Sequence, residues 1–166
     1  GLRRLSGQVL GIIGLGRIGR AVAQRARAFG LDVIAHDPWL SVTDAPPDIP
    51  LLTLDALLGQ ADIISLHCQA GPEHTPLLDE SAFRAMSRRP LLINVARGSL
   101  IDEAALGEAL EQGLISGAAL DVLADEPPDL SNHPLVGRPN VLVTPHVAFS
   151  STQALEDVRR ISAANI

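Results

Sequence analysis

The chain has 166 residues, enough for one domain with a proper core, and its 46% hydrophobic and 19% charged residues mark a globular protein rather than a disordered one. A net charge of -6 argues against a nonspecific nucleic-acid partner or an acidic membrane surface, since either calls for a basic face. A single cysteine forms no internal disulfide, no charged-then-apolar leader is visible, and every apolar run is too short to span a bilayer, so a reducing, cytoplasmic setting is expected.

After a lead-in over Leu2–Ser6, Gln8–Ile13 is a near-continuous apolar run of the kind a parallel strand covered on both faces requires. It enters Gly14-Leu15-Gly16-Arg17-Ile18-Gly19, a G-x-G-x-x-G turn that opens a helix. In that pattern Gly14 permits the tight turn, Gly16 lets backbone approach a pyrophosphate, and Gly19 lets the helix pack closely on the strand. Free N–H groups and the positive end of the helix dipole then face the anion. Glycine clusters also arise in ordinary strand-to-helix turns, so the motif depends on its context. Ile18, Val22, Arg25/Ala26 and Phe29 recur at helical spacing, and Gly30 stands at the C-terminal cap position. Leu31–Ala35 predicts a second strand ending in His36-Asp37-Pro38, which completes a βαβ unit. Asp37 falls where a carboxylate accepts hydrogen bonds from the adenosine ribose and repels a 2′-phosphate, which favours NAD over NADP; alternatively it only starts the turn before Pro38.

Residues 38–50, with four prolines, predict a surface loop. A short helix over Leu54–Leu58 and a turn at Gly59 lead to a third strand, Ala61–Leu66. After a loop from His67 to Pro76 comes a helix near Asp79–Met86 with Asp79 as N-cap, then a fourth strand at Leu91–Val95. Asp102 caps a helix reaching about Gln112, Gly117–Asp121 is the fifth strand, 124–140 is a proline-rich loop, and Val141–Thr144 is the sixth. Ser150-x-x-Gln153 resembles a capping box for a closing helix. Strands alternating with helices imply an α/β Rossmann-type, doubly wound parallel sheet with helices on both faces, spanning residues 1–166 as one dinucleotide-binding domain.

Ligands of such sheets bind beyond the carboxyl ends of the strands. Ala96-Arg97-Gly98 follows the fourth strand, Asp121 through Glu126-Pro127 the fifth, and Thr144-Pro145-His146 the sixth. These are the parts needed to reduce a 2-oxo acid. Arg97 offers a planar fork for a substrate carboxylate and polarises the adjacent carbonyl. His146 can give a proton to the carbonyl oxygen and take it back in the oxidative direction. Glu126, bonded to the other ring nitrogen, would fix the tautomer and favour imidazolium. Asp121 is placed to accept from a nicotinamide carboxamide. Singly, each has a plainer rival: a surface ion partner for Arg97, a solvated charge for Glu126, a strand-end histidine for His146.

Together Gly14-Leu15-Gly16-Arg17-Ile18-Gly19, His36-Asp37-Pro38, Asn94-Val95-Ala96-Arg97-Gly98, Gly117 to Val122 with Glu126-Pro127, and Thr144-Pro145-His146 resemble the NAD-binding domain of the D-isomer-specific 2-hydroxyacid dehydrogenase family. The resemblance covers essentially the whole chain. It implies Arg97 as the substrate-binding arginine and Glu126 with His146 as the catalytic pair. Gly14, Gly16, Arg17, Ile18, Gly19, Asp37, Cys68, Ala96, Asp121 and His146 would line NAD. It also implies a homodimer through this domain and a separate substrate domain that this chain lacks, so that the isolated domain would bind NAD but turn over a 2-oxo or 2-hydroxy acid poorly.

The sequence departs from the family in places. Leu66-His67-Cys68-Gln69-Ala70 lacks the common His-Leu-Pro run, Pro72-Glu73-His74-Thr75-Pro76 lacks the usual Thr-Arg, and Phe149 stands where tryptophan or glycine is frequent. Leu66-His67-Cys68, Glu73-His74 and Phe149 are similar to the C-terminal-binding-protein branch, whose members include NAD(H)-responsive corepressors; a binding scaffold is therefore the alternative function. Cys68 reads as a small half-buried residue beside the cofactor rather than a nucleophile. His67, His74 and His133 show no metal-ligand spacing. Trp39 reads as a loop anchor or a neighbour of adenine, and Leu155 and Val158 as core or interface.

Overall fold

The apolar run near the start of the chain is a strand because both of its faces are covered. In β1 (Val9–Ile13), Leu10 and Ile12 join one apolar cluster and Ile13 the other, and none is more than 5% exposed. The computed structural model, which describes residues 3–71, 75–131 and 133–164, continues with α1 (Arg17–Ala28), β2 (Asp32–His36), α2 (Leu54–Gln60), β3 (Ile63–Leu66), α3 (Glu80–Arg84) and β4 (Leu91–Asn94). A 3-10 turn at Gly98–Leu100, α4 (Glu103–Glu111), β5 (Gly117–Leu120), β6 (Val141–Val143) and α5 (Thr152–Ala164) complete it.

The strands form one parallel sheet in the order β2-β1-β3-β4-β5-β6. The chain steps one way from β1 to β2 and the other way ever after. Right-handed crossovers then put α1 on one face and α2, α3 and α4 on the opposite one. The clusters agree: Ala23 and Ala26 of α1 pack with Leu10, Ile12 and Val33, whereas Leu57, Phe83 and Leu106 pack with Ile64, Leu92 and Leu120. The doubly wound α/β fold expected from the sequence is the fold observed. Its change of direction lies between β1 and β3, and in sheets of this kind ligands bind beyond the carboxyl ends at that point.

Several local expectations are corrected. Ile18 and Phe29 are 66% and 67% exposed, and the face of α1 against the sheet is Gly19, Ala23 and Ala26, because the helix lies too close for larger side chains. Gly59 is inside α2 rather than in a turn after it. The closing helix is capped by Ser151, whose hydroxyl accepts from the Ala154 N–H at 3.0 Å, not by Ser150. Trp39 is 95% exposed and anchors nothing, while Leu155 and Val158 are exposed and belong to no core. Asp79 and Asp102 do cap α3 and α4 as expected.

At the amino edge of the sheet Asp62, with its side chain 7% exposed, accepts from the Val9 N–H at 2.9 Å and pairs with Arg88 at 3.0 Å and Arg3 at 3.3 Å. Burial opposes its charge, but the Val9 amide and the two guanidinium groups outweigh that and hold the carboxyl below the ordinary 3.8. The stabilisation is therefore complete above that value and is lost as pH falls through the lowered one. Asp62→Ala should lower unfolding free energy by about 2 kcal/mol at neutral pH, with the gap to wild type narrowing as the pH is lowered below the ordinary 3.8 in urea titrations. An equal gap throughout would overturn this account.

Candidate functional site

The glycine turn joins β1 to α1 with backbone on backbone. Gly14 has φ +94, and a β-carbon there would stand 2.6 Å from the Cys68 nitrogen. At Gly19 a β-carbon would overlap the Gly14 carbonyl oxygen. Gly16 is the opposite case: it is exposed, and nothing lies within 4 Å of where its β-carbon would be. It is also the N-cap of α1, which has no side-chain cap and no acidic residue in its first turn. An uncapped helix end facing open ground that only glycine leaves clear fits a pyrophosphate. Arg17 and Ile18 project from the same turn and are exposed.

Asp37 stands at the end of β2 beside this turn. Its Oδ2 accepts from the Leu15 N–H at 2.9 Å and its Oδ1 from the Trp39 N–H at 3.0 Å. Arg20 braces the same region by donating to the Leu15 carbonyl at 3.0 Å and the Asp44 carbonyl at 2.8 Å. Cys68 is half-buried; burial pushes its thiol up and the nearby Asp37 carboxylate adds to the effect, so it is no ready nucleophile. His67, bonded through Nε2 to Ser65 Oγ at 2.9 Å, is pushed down by burial.

Farther along the same edge, Asn94, fully buried, folds the turn after β4. Its Oδ1 accepts from the Ala96 N–H at 3.0 Å and its amide donates to the Arg97 carbonyl at 2.9 Å. Arg97 itself is exposed, donates to the Ala96 carbonyl at 2.6 Å, and has no acidic partner among the described residues. Gly98 lies so close to the end of β5 that a β-carbon would overlap the Leu123 carbonyl.

The sequence assigns Asp121 to a nicotinamide carboxamide; in the fold its carboxylate already takes three donors from the turn after β6. These are Thr144 Oγ1 at 2.5 Å, the Val147 N–H at 2.9 Å and the Ala148 N–H at 2.8 Å. Burial works against its charge, but Thr144, these two amides and the neighbouring His146 hold the carboxyl below 3.8. The Asp121 carbonyl also accepts from the His146 N–H at 2.9 Å, and His146 adopts φ +52. This turn aims the imidazole at Glu126, with Nδ1 and Oε2 2.7 Å apart and both side chains partly open to solvent. Phe149 meets the ring edge-on at 5.9 Å. A cavity of about 410 Å³ opens beside the pair, walled by Leu123, Pro127, Leu130, Val136 and Val143.

The structure thus brings Glu126 and His146 into contact, while Arg97 is on a neighbouring strand end without a bond to either. Asn94, Thr144 and Glu103, whose carboxylate holds the Ala124 N–H at 2.8 Å, are structural partners of the site to which the sequence motifs give no role. Pro72, Glu73 and His74 lie outside the described residues. Among the described residues no group of three or more His, Cys, Asp or Glu side chains could hold a metal, and no helix is long and apolar enough to cross a membrane.

Residues 1–148 match the family model for the D-isomer specific 2-hydroxyacid dehydrogenase, NAD binding domain. The chain is 44% identical over 149 residues to D-3-phosphoglycerate dehydrogenase of Mycobacterium bovis, covering 89% of this chain and 28% of that protein. Among solved structures, the NAD-complexed D-isomer specific 2-hydroxyacid dehydrogenase from Lactobacillus delbrueckii ssp. bulgaricus superposes with a TM-score of 0.89 at 33% identity, over 98% of this chain and 53% of that one. D-lactate dehydrogenase with NAD+ from Lactobacillus jensenii gives 0.88 at 35% identity, over 98% and 52%. The chain therefore spans about a quarter of the length of the first relative and about half of the solved ones.

The two glycines at the helix start should separate in binding experiments. Gly16→Ala should melt like wild type yet weaken NADH binding about tenfold or more, whereas Gly19→Ala should lower both the melting temperature and the affinity. Fluorescence titration with NADH and a thermal melt read the two effects; unchanged affinity in Gly16→Ala would refute the cradle.

Proposed function

The chain belongs to the D-isomer-specific 2-hydroxyacid dehydrogenase family as its NAD-binding domain, and we propose that the whole protein interconverts a 2-oxo acid and a D-2-hydroxy acid. The observation that carries this reading is the His146–Glu126 pair, bonded at 2.7 Å through Nδ1, on the same sheet edge as the glycine cradle and Arg97. A domain that only held a dinucleotide needs no such pair.

Gly14, Gly16, Arg17, Ile18 and Gly19 would take the pyrophosphate on the end of α1, and Asp37 the adenosine ribose. Cys68 and Ala96 would flank the dinucleotide across the crevice. When bound, the reduced nicotinamide supplies a hydride to the substrate carbonyl carbon. Arg97 holds the substrate carboxylate in its fork and draws electron density from the neighbouring carbonyl. His146 passes the Nε2 proton to the carbonyl oxygen as charge develops there, and recovers it in the reverse direction. Glu126 keeps the proton on Nδ1, so that Nε2 faces the substrate. Asp121 holds the backbone that carries the ring, and its remaining acceptor capacity suits the nicotinamide carboxamide. Leu155, Val158 and Ile161, exposed along α5, suit contact with further protein, and a homodimer through this domain is part of the proposal.

In the full-length protein, Arg97→Ala and His146→Ala should each lower kcat/KM for a 2-oxo acid by about a hundredfold or more while NADH binds nearly as well as to wild type. Loss of NADH binding in either variant would show the residues to be misassigned. A screen of 2-oxo acids with NADH that yields no turnover, with NADH-driven oligomerisation retained, would replace the enzyme reading by a corepressor-like scaffold. NADH should also bind more tightly than NADPH, and equal affinities would remove Asp37 as the selector.

A further inference from the structure

Glu126 hangs on a stretch with little regular structure, between β5 and β6, yet its carboxylate must meet His146 within a fraction of an ångström. What fixes that stretch lies on α4. Asp102 already caps the helix, its Oδ1 accepting from the Ala104 and Ala105 N–H groups at 3.0 Å each. Glu103 is left to reach outward. Its Oε1 accepts from the Ala124 N–H at 2.8 Å, and its Oε2 lies 3.3 Å from His133 Nε2. The two side chains are only 18% and 10% exposed, so water competes little for them.

The imidazole of His133 extends the contact. Its Nδ1 accepts from the N–H of Leu135, itself fully buried, at 3.3 Å. An Nδ1 that accepts carries no proton, which leaves Nε2 as the donor to Glu103. One carboxylate and one ring thereby tie both ends of the stretch from Ala124 to Leu135 to the start of a helix. Ala124 is also where the second carrier arrives: its nitrogen and the Leu123 carbonyl lie against Gly98, the residue after Arg97, at a distance that excludes a β-carbon.

We propose that Glu103 and His133 are positioning residues, which set the spacing between the turn that carries Arg97 and the stretch that carries Glu126. The proposal rests on the acid–base reading of Glu126 and His146 given above. Neither residue touches the reacting groups; both act through the backbone at Ala124 and Leu135.

Kinetics and ring-nitrogen NMR of the full-length, histidine-labelled protein test it. Glu103→Ala should lower kcat with a 2-oxo acid by about tenfold to a hundredfold, with the NADH dissociation constant within about twofold of wild type. Glu103→Gln, which keeps an oxygen for the Ala124 amide, should recover most of the loss. In the absence of substrate and at alkaline pH, where the ring is neutral, the His146 nitrogens should show one Nδ1–H tautomer in wild type and Glu103→Gln, and a mixture in Glu103→Ala. His133→Ala leaves the Glu103–Ala124 bond intact and should give a smaller loss in the same direction, so it replaces Glu103→Ala if that variant does not fold. A lowered melting temperature with unchanged kcat and an unchanged tautomer pattern would overturn the proposal. A wild-type protein that reduces no 2-oxo acid would remove the enzyme reading instead, and the tautomer comparison would still decide the brace.

Discussion

At three places along the carboxyl edge of the sheet, one stretch of backbone lies against another where no β-carbon can fit: Gly19 on Gly14, Gly14 on Cys68, and Gly98 on Leu123 and Ala124. The rest of the site depends on these contacts. The first seats the end of α1 beside β1, the second sets the glycine turn against the chain leaving β3, and the third sets the turn after β4 on the chain leaving β5. A methyl group at any of them would move two elements at once. The close-packed sheet is thus what allows groups from separate strands to share a small space.

Buried polar side chains then fix the turns that the strands deliver. Asn94 satisfies both ends of the Ala96–Arg97 turn, and Asp121 gathers one hydroxyl and two amides of the turn that carries His146. Among the described residues no buried side-chain nitrogen or oxygen lacks a partner. Such networks are expensive to break and have few alternative arrangements, which suits turns that must present a side chain in a single direction. His146 at φ +52 is held in a conformation that a free chain seldom visits.

The architecture was legible because its signals are local. Apolar runs, a glycine turn and capping aspartates recur within a few residues of one another, and strand bounds read from them agree with the fold to within one or two residues. Arg97, Glu126 and His146 were legible as strand-end residues of a parallel sheet. The face of α1 was not: hydrophobic spacing points to Ile18 and Phe29, but a helix this close to its strand selects small residues, and Gly19, Ala23 and Ala26 carry no strong signal. Nor were the clamps legible. Asp121 and Thr144 are 23 residues apart, and Glu103 and Ala124 are 21 apart, so nothing in either local pattern announces its partner.

Asp37 joins two properties that are usually considered apart. The carboxylate proposed to take the adenosine ribose also holds the Leu15 amide, and through it the glycine turn. Re-engineering the chain toward a phosphorylated cofactor by removing this charge would therefore also release the glycine turn from β2. An exchange that retains an oxygen acceptor for Leu15 while shedding the charge separates the two effects, and a compensating cation is better introduced from the 38–50 loop than at position 37 itself.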